Sequence, residues 1–155
     1  ASSTIIGANT RRYHGLLIAP LMPPARRTLI LSKLDESIEI NGNKTDLYTN
    51  IGKNFITHGY KYQECFIKEY IPIFAYKVGD VEITKAICMQ HFKNTVAIFY
   101  KVKKSRLQTD ENGCLFISTY FTVKNLESNK LERALCVSNH FPKETKSTYF
   151  LYCIH

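Results

Sequence analysis

The sequence predicts an all-β fold, an antiparallel β-sandwich with at most one short helix near the carboxyl end. Two observations carry this expectation. The apolar residues arrive in short runs rich in Ile, Val, Thr, Tyr and Phe, the composition of half-buried strands. The runs are separated by turn-forming pairs at hairpin spacing, and several are apolar on both faces while others alternate, which favours stacked antiparallel sheets over βαβ units. A chain of 155 residues with 45% hydrophobic composition can bury one real core, so a single domain is expected.

Taken along the chain, the first strand is expected at His14 to Ala19, where the polar "GANTRRYHG" of residues 7 to 15 runs into "LLIA". The stretch "APLMPPAR" at 19 to 26 reads as a stiff proline-rich loop, unable to pair within a sheet. A strand at Thr28 to Leu34 follows. Next comes a hairpin in "SIEINGNKTDLY", whose Asn41-Gly42 supplies the positive φ angles of a tight turn. Tyr62 to Glu69 is a further strand. The clearest hairpin spans Phe74 to Met89 around Gly79-Asp80, a glycine-first pair suited to a type II′ turn. Strands at Thr95 to Val102 and Cys114 to Lys124 complete the β reading, and "LESNKLERALCV" at Leu126 to Val137 is the one helix-like stretch, with Leu131 and Leu135 at helical spacing.

Charge and cysteines narrow the function. The net charge of +8 invites a nucleic-acid reading, but it is not clustered: residues 1 to 100 hold 12 Lys and Arg against 8 Asp and Glu, and residues 101 to 155 hold 9 against 5. A nucleic-acid partner is therefore disfavoured, although a basic β-domain remains an alternative. Five cysteines lie far apart without CxxC or CxH spacing, so neither zinc nor a redox motif is indicated, and Cys65 and Cys88 read as reduced, buried small hydrophobes. No cofactor or metal is implied. The apolar runs are too short to span a bilayer and no secretory layout opens the chain, so no membrane partner and a cytoplasmic location are expected.

The sequence offers no catalytic constellation. There is no nucleophile elbow, GxGxxG, GxxxxGK[ST] or HExxH. Glycosidic hydrolysis needs two carboxylates across a cleft, and the candidate acids Asp35, Glu36, Glu64, Glu69 and Asp80 cannot be paired from spacing alone; Asp35 and Glu36, as neighbours on a strand, face apart. His58 and His91 sit in turn-like contexts. The candidate binding residues are Asn9, Arg11, Arg12, Tyr13 and His14, with Lys33, Asp35 and Glu36 of "LSKLDE" as a second group. On an extended segment Arg11 and Arg12 point to opposite sides, so one arginine would reach a carboxylate while Tyr13 or His14 turns toward a cleft. The alternative, that Arg11, Arg12 and His14 only order the loop and strand entrance through hydrogen bonds, stays open.

"SSTIIGANTRRYHGLLIAPLMPPARRTLILSKLDESIEING", followed by "THGYKYQECFIKEYIPIFAYKVGDVEITKAICMQHFKNTVAIFYKV", resembles the amino-terminal domain of bacterial and archaeal type glycogen debranching enzymes, the amylo-α-1,6-glucosidase family. The shared order is "NTRRYHGLL", "LSKLDE", an "HGY" segment, a P-x-F-x-Y strand and a KxICMxHxxNT strand. The resemblance covers residues 1 to 102. It implies a β-supersandwich preceding an α/α barrel that holds the hydrolytic carboxylates, and nothing in this chain resembles that barrel.

The expectation is therefore an accessory glycosidase domain, inactive alone, that helps bind glycogen or another α-glucan and packs against the α/α-barrel domain. Its motif residues would form a cleft rim and domain interface rather than a catalytic set. The family's glycine-rich stretch is expected just before Ala1, so the start reads as clipped and the sandwich as incomplete. Residues 103 to 155 read as a diverged or frameshifted remainder of the same domain. The competing expectation is a fragment without autonomous activity.

Overall fold

The computed structural model describes residues 3–22, 26–104, 113–125, 134–141 and 147–154. Among these described residues lie ten strands: β1 (Leu17–Met22), β2 (Arg26–Ile40), β3 (Asn43–Asp46), β4 (Gln63–Lys68), β5 (Pro72–Val78), β6 (Val81–Met89), β7 (Val96–Lys104), β8 (Gly113–Asn125), β9 (Ala134–Phe141) and β10 (Ser147–Ile154). A 3-10 turn at Gly59–Tyr62 precedes β4. One antiparallel sheet runs β1-β2-β8-β9 with β3 also paired to β2; the other runs β10-β7-β6-β5-β4. All-β architecture with two stacked antiparallel sheets is thus observed, as the strand pattern requires.

The two expected hairpins form for the expected reasons. Asn41 and Gly42 adopt φ of 52° and 77°, the left-handed pair of a type I′ turn, and Ile40 pairs with Asn43 across it. Gly79 has φ 57° and joins Val78 to Val81. In β6 the alternation is complete: Val81, Ile83, Lys85 and Ile87 are buried while the residues between them face outward. Val81, Ile83 and Ile87 meet Leu31, Leu34 and Ile38 of β2, Leu17 of β1, Phe74 and Tyr76 of β5, and Val96, Ile98, Tyr100 and Val102 of β7 in one core between the sheets.

β2 is the organising strand of its sheet. It carries β8 along one edge, and β1 followed by β3 along the other. The register shifts between Leu31 and Lys33, so Leu31 and Leu34 both enter the core despite their odd spacing.

Four expectations are corrected. First, β1 begins at Leu17 rather than His14, because residues 11–13 bend and the His14 amide donates to the Arg11 carbonyl at 3.0 Å. The extended alternation expected for Arg11 and Arg12 therefore does not hold. Second, Pro20 lies inside β1 opposite Arg27, because β1 is an edge strand where a missing amide is tolerated and the register shifts next to it.

Third, Cys65 and Cys88 are free and exposed. Cys65 pairs with Ala75 between the inward Phe66–Phe74 and Gln63–Tyr76 positions, and Cys88 follows the buried Ile87, so the pleat turns both thiols outward. Fourth, residues 134–137 of the helix-like stretch are in β9, where they pair with β8; residues 126–133 lie outside the described residues.

Candidate functional site

The segment ahead of β1 is a fastened loop. Thr4 closes a small ring with Ala8: its Oγ1 donates to the Ala8 carbonyl at 2.9 Å and accepts from the Ala8 amide at 3.0 Å. Asn9 then ties the loop to β2, its amide group donating to the Ser32 carbonyl at 3.0 Å and to Ser32 Oγ at 3.2 Å. The Leu16 amide donates to the Leu31 carbonyl at 2.9 Å, fixing the other end. Between these anchors Thr10 donates its amide to His14 Nδ1 at 3.1 Å, which leaves Nε2 of a neutral ring as the donor.

Arg11, Arg12 and Tyr13 occupy the projecting bend and are exposed. The Arg12 guanidinium lies 5.8 Å from the centre of the Tyr13 ring, and that ring is 53% exposed. A guanidinium fork beside a half-open phenol suits a ligand with an apolar face and clustered hydroxyls. His14 is half-buried and serves the bend from within.

The second group divides. Lys33 and Asp35 share one side of β2 and form an ion pair of 2.7 Å, and Asp35 Oδ2 also accepts from the Asn50 amide group at 3.0 Å. Glu36 turns the other way, into the space between the sheets. Its Oε1 accepts from Lys85 Nζ at 2.5 Å and from the Tyr100 hydroxyl at 2.6 Å. Glu36 and Lys85 are only 4% and 8% exposed.

Asn9 and Lys33 line one small cavity, so the loop and "LSKLDE" do meet, while Glu36 stands apart from Arg11, Arg12 and Tyr13 in its own buried network. Lys85 and Tyr100 were missed by sequence reasoning. The available signal was a lysine at the apolar parity of β6, in line with Val81, Ile83 and Ile87.

Burial pushes the Asp35 carboxyl above its ordinary value; the Lys33 ammonium and the Asn50 amide offset part of the rise, and Glu36 adds to it. Burial, with the Glu36 charge, likewise raises the Tyr76 phenol. Because native Asp35 holds its proton at a higher pH than the unfolded chain does, this group adds stability as pH falls from its raised value toward 3.8 and withdraws it as pH rises again. Asp35→Asn is expected to remove that slope from urea midpoints measured across the window; an unchanged slope refutes the assignment.

Among the described residues, no group of three or more His, Cys, Asp and Glu side chains is gathered as a cation site requires. Asp35 and Glu36, the adjacent carboxylates, are each buried and bound to a lysine on opposite sides of β2. Among the described residues no helix is long and apolar enough to cross a membrane.

Two antiparallel sheets packed on one core, with an anchored polar loop ahead of β1, define a β-sandwich domain. Residues 1–149 match the family described as glycogen debranching enzyme N terminal, and the chain belongs to that family. The match runs past residue 102, where the motif resemblance ends. No curated protein and no solved structure matches the chain.

Proposed function

We propose that this chain is the glucan-contacting, non-catalytic domain of a debranching enzyme, that the bend from Asn9 to His14 forms part of the glucan cleft, and that the domain packs on an α/α-barrel catalytic domain. One observation carries the reading: Arg11, Arg12 and Tyr13 are exposed on a loop held rigid at both ends. An anchored loop presents its side chains without a large ordering cost, which is the condition for contributing affinity. The tyrosine face suits the C–H face of a pyranose, and arginine donors suit its hydroxyls.

Retardation of the 155-residue chain in glycogen-containing native gels tests this. The wild-type chain is expected to be retarded, and Arg12→Ala combined with Tyr13→Ala is expected to weaken retention about tenfold, the equivalent of ~1.4 kcal/mol. Equal retention by a folded double variant, or none by the folded wild type, rejects the loop as a glucan contact.

A further inference from the structure

A second feature projects from the domain between β3 and the 3-10 turn. Residues 50–57 form a short hairpin in which Ile51 and Ile56 pair, the Gly52 amide donates to the Phe55 carbonyl at 2.9 Å, and the Thr57 amide donates to the Asn50 carbonyl at 2.9 Å. Its base is braced several times over. The Asn50 amide donates to Thr57 Oγ1 at 2.6 Å, Thr57 Oγ1 donates to the Tyr48 carbonyl at 3.2 Å, and the Asn50 side chain is held by buried Asp35 at 3.0 Å. The Phe55 ring sits over Gly52, in space that a Cβ there would fill.

What this hairpin presents is apolar. Ile51, Phe55 and Ile56 are 52%, 61% and 53% exposed. Paired Ile51 and Ile56 lie on one side of the ladder, so they form a patch rather than scattered residues. A braced hairpin with large apolar side chains facing water is an interaction surface rather than a loop left over. From Leu47 to Tyr62 the chain has Lys53 and Lys61 but no Asp or Glu.

We infer that the 50–57 hairpin is the surface by which this domain docks on the rest of a debranching enzyme, against an apolar patch rimmed by carboxylates. The inference rests on the proposed function for its partner, and on charge for the partner's chemistry. A second copy of this chain fits poorly, since docking would bring like charges together on a protein of net charge +8. Asp35 is then a positioning residue, linked through Asn50 to the hairpin base.

The test mixes the 155-residue chain with the catalytic portion of a family member, expressed as a separate chain, and follows binding by calorimetry. Phe55→Ser with Ile56→Ser is expected to weaken binding roughly 30-fold, the scale of an interface hot spot. Lys53→Glu, at an exposed position that leaves the hairpin's bonds intact, is expected to slow association about tenfold at low salt. Wild-type affinity in both folded variants overturns the hairpin alone and leaves the packing and glucan-contact readings standing. No binding by the wild-type chain overturns the hairpin together with the packing reading, while retention on glycogen remains a separate result.

Discussion

Lys85→Met is expected to cost about 3–5 kcal/mol, a large part of the stability of a domain this size. The reason is the company Lys85 keeps. Its ammonium meets Glu36 Oε1 between the two sheets, where the Tyr100 hydroxyl is the other donor to the same oxygen. Removing the lysine leaves a carboxylate in an apolar layer with one hydrogen bond and no counter-charge. Water cannot replace it cheaply, because Val81, Ile83, Ile87 and Ile98 close the surrounding core.

The matching experiment decides whether the pair itself stabilises the fold. Glu36→Leu combined with Lys85→Met removes both charges, and should recover most of the loss, since a buried pair seldom outperforms apolar residues of similar volume. Urea midpoints of the two singles and the double provide the cycle. A double variant as unstable as the singles would mean that the pair contributes strong net attraction.

Gly59→Ala is the second large effect, about 3 kcal/mol of destabilisation. At a permissive site this substitution would stabilise by roughly 0.4–1 kcal/mol through the unfolded chain. Here the added Cβ would lie 2.3 Å from the Leu47 carbonyl carbon and 2.3 Å from the Tyr48 oxygen. Both are backbone atoms, and the Gly59 amide donates to that same Tyr48 oxygen at 3.1 Å, so neither side can yield. This close approach gives the glycine of the "HGY" segment its physical purpose. A rise in the urea midpoint of Gly59→Ala would show that the contact relaxes.

The local features of this fold were legible in the sequence, and the distant ones were not. Asn41-Gly42 and Gly79-Asp80 announced their hairpins because a tight turn is dictated by the residues within it. The fifteen-residue β2 read as two pieces, Thr28 to Leu34 and the hairpin strand from Ser37, with the charged Asp35-Glu36 between them. It stays extended because β8 pairs along it and because Lys33, Glu36 and Asp35 all find partners within the fold.

The site followed the same division. Asn9, Arg11, Arg12 and Tyr13 stood out as a motif, yet the bend that exposes Arg11, Arg12 and Tyr13 depends on the Asn9–Ser32 anchor and an Arg11 backbone contact that no spacing rule reveals. Lys85 showed only as a lysine at the apolar parity of its strand, and nothing within β7 marks Tyr100 as its companion. Only when Glu36 is placed between the sheets does the constellation exist.

The way β2 is flanked also bears on how the chain acquires its shape during synthesis. β4 to β7 form a meander of sequence neighbours, Gln63–Lys68 through Val96–Lys104, and that sheet can grow as it leaves the ribosome. β2 must wait: Thr28 pairs with Asn125, so at roughly 5–20 residues per second its inner edge stays open for about 5–20 s. During that interval a long strand with unpaired amides is a template for the wrong partner. The chain's need for chaperones should therefore peak before residue 125 emerges.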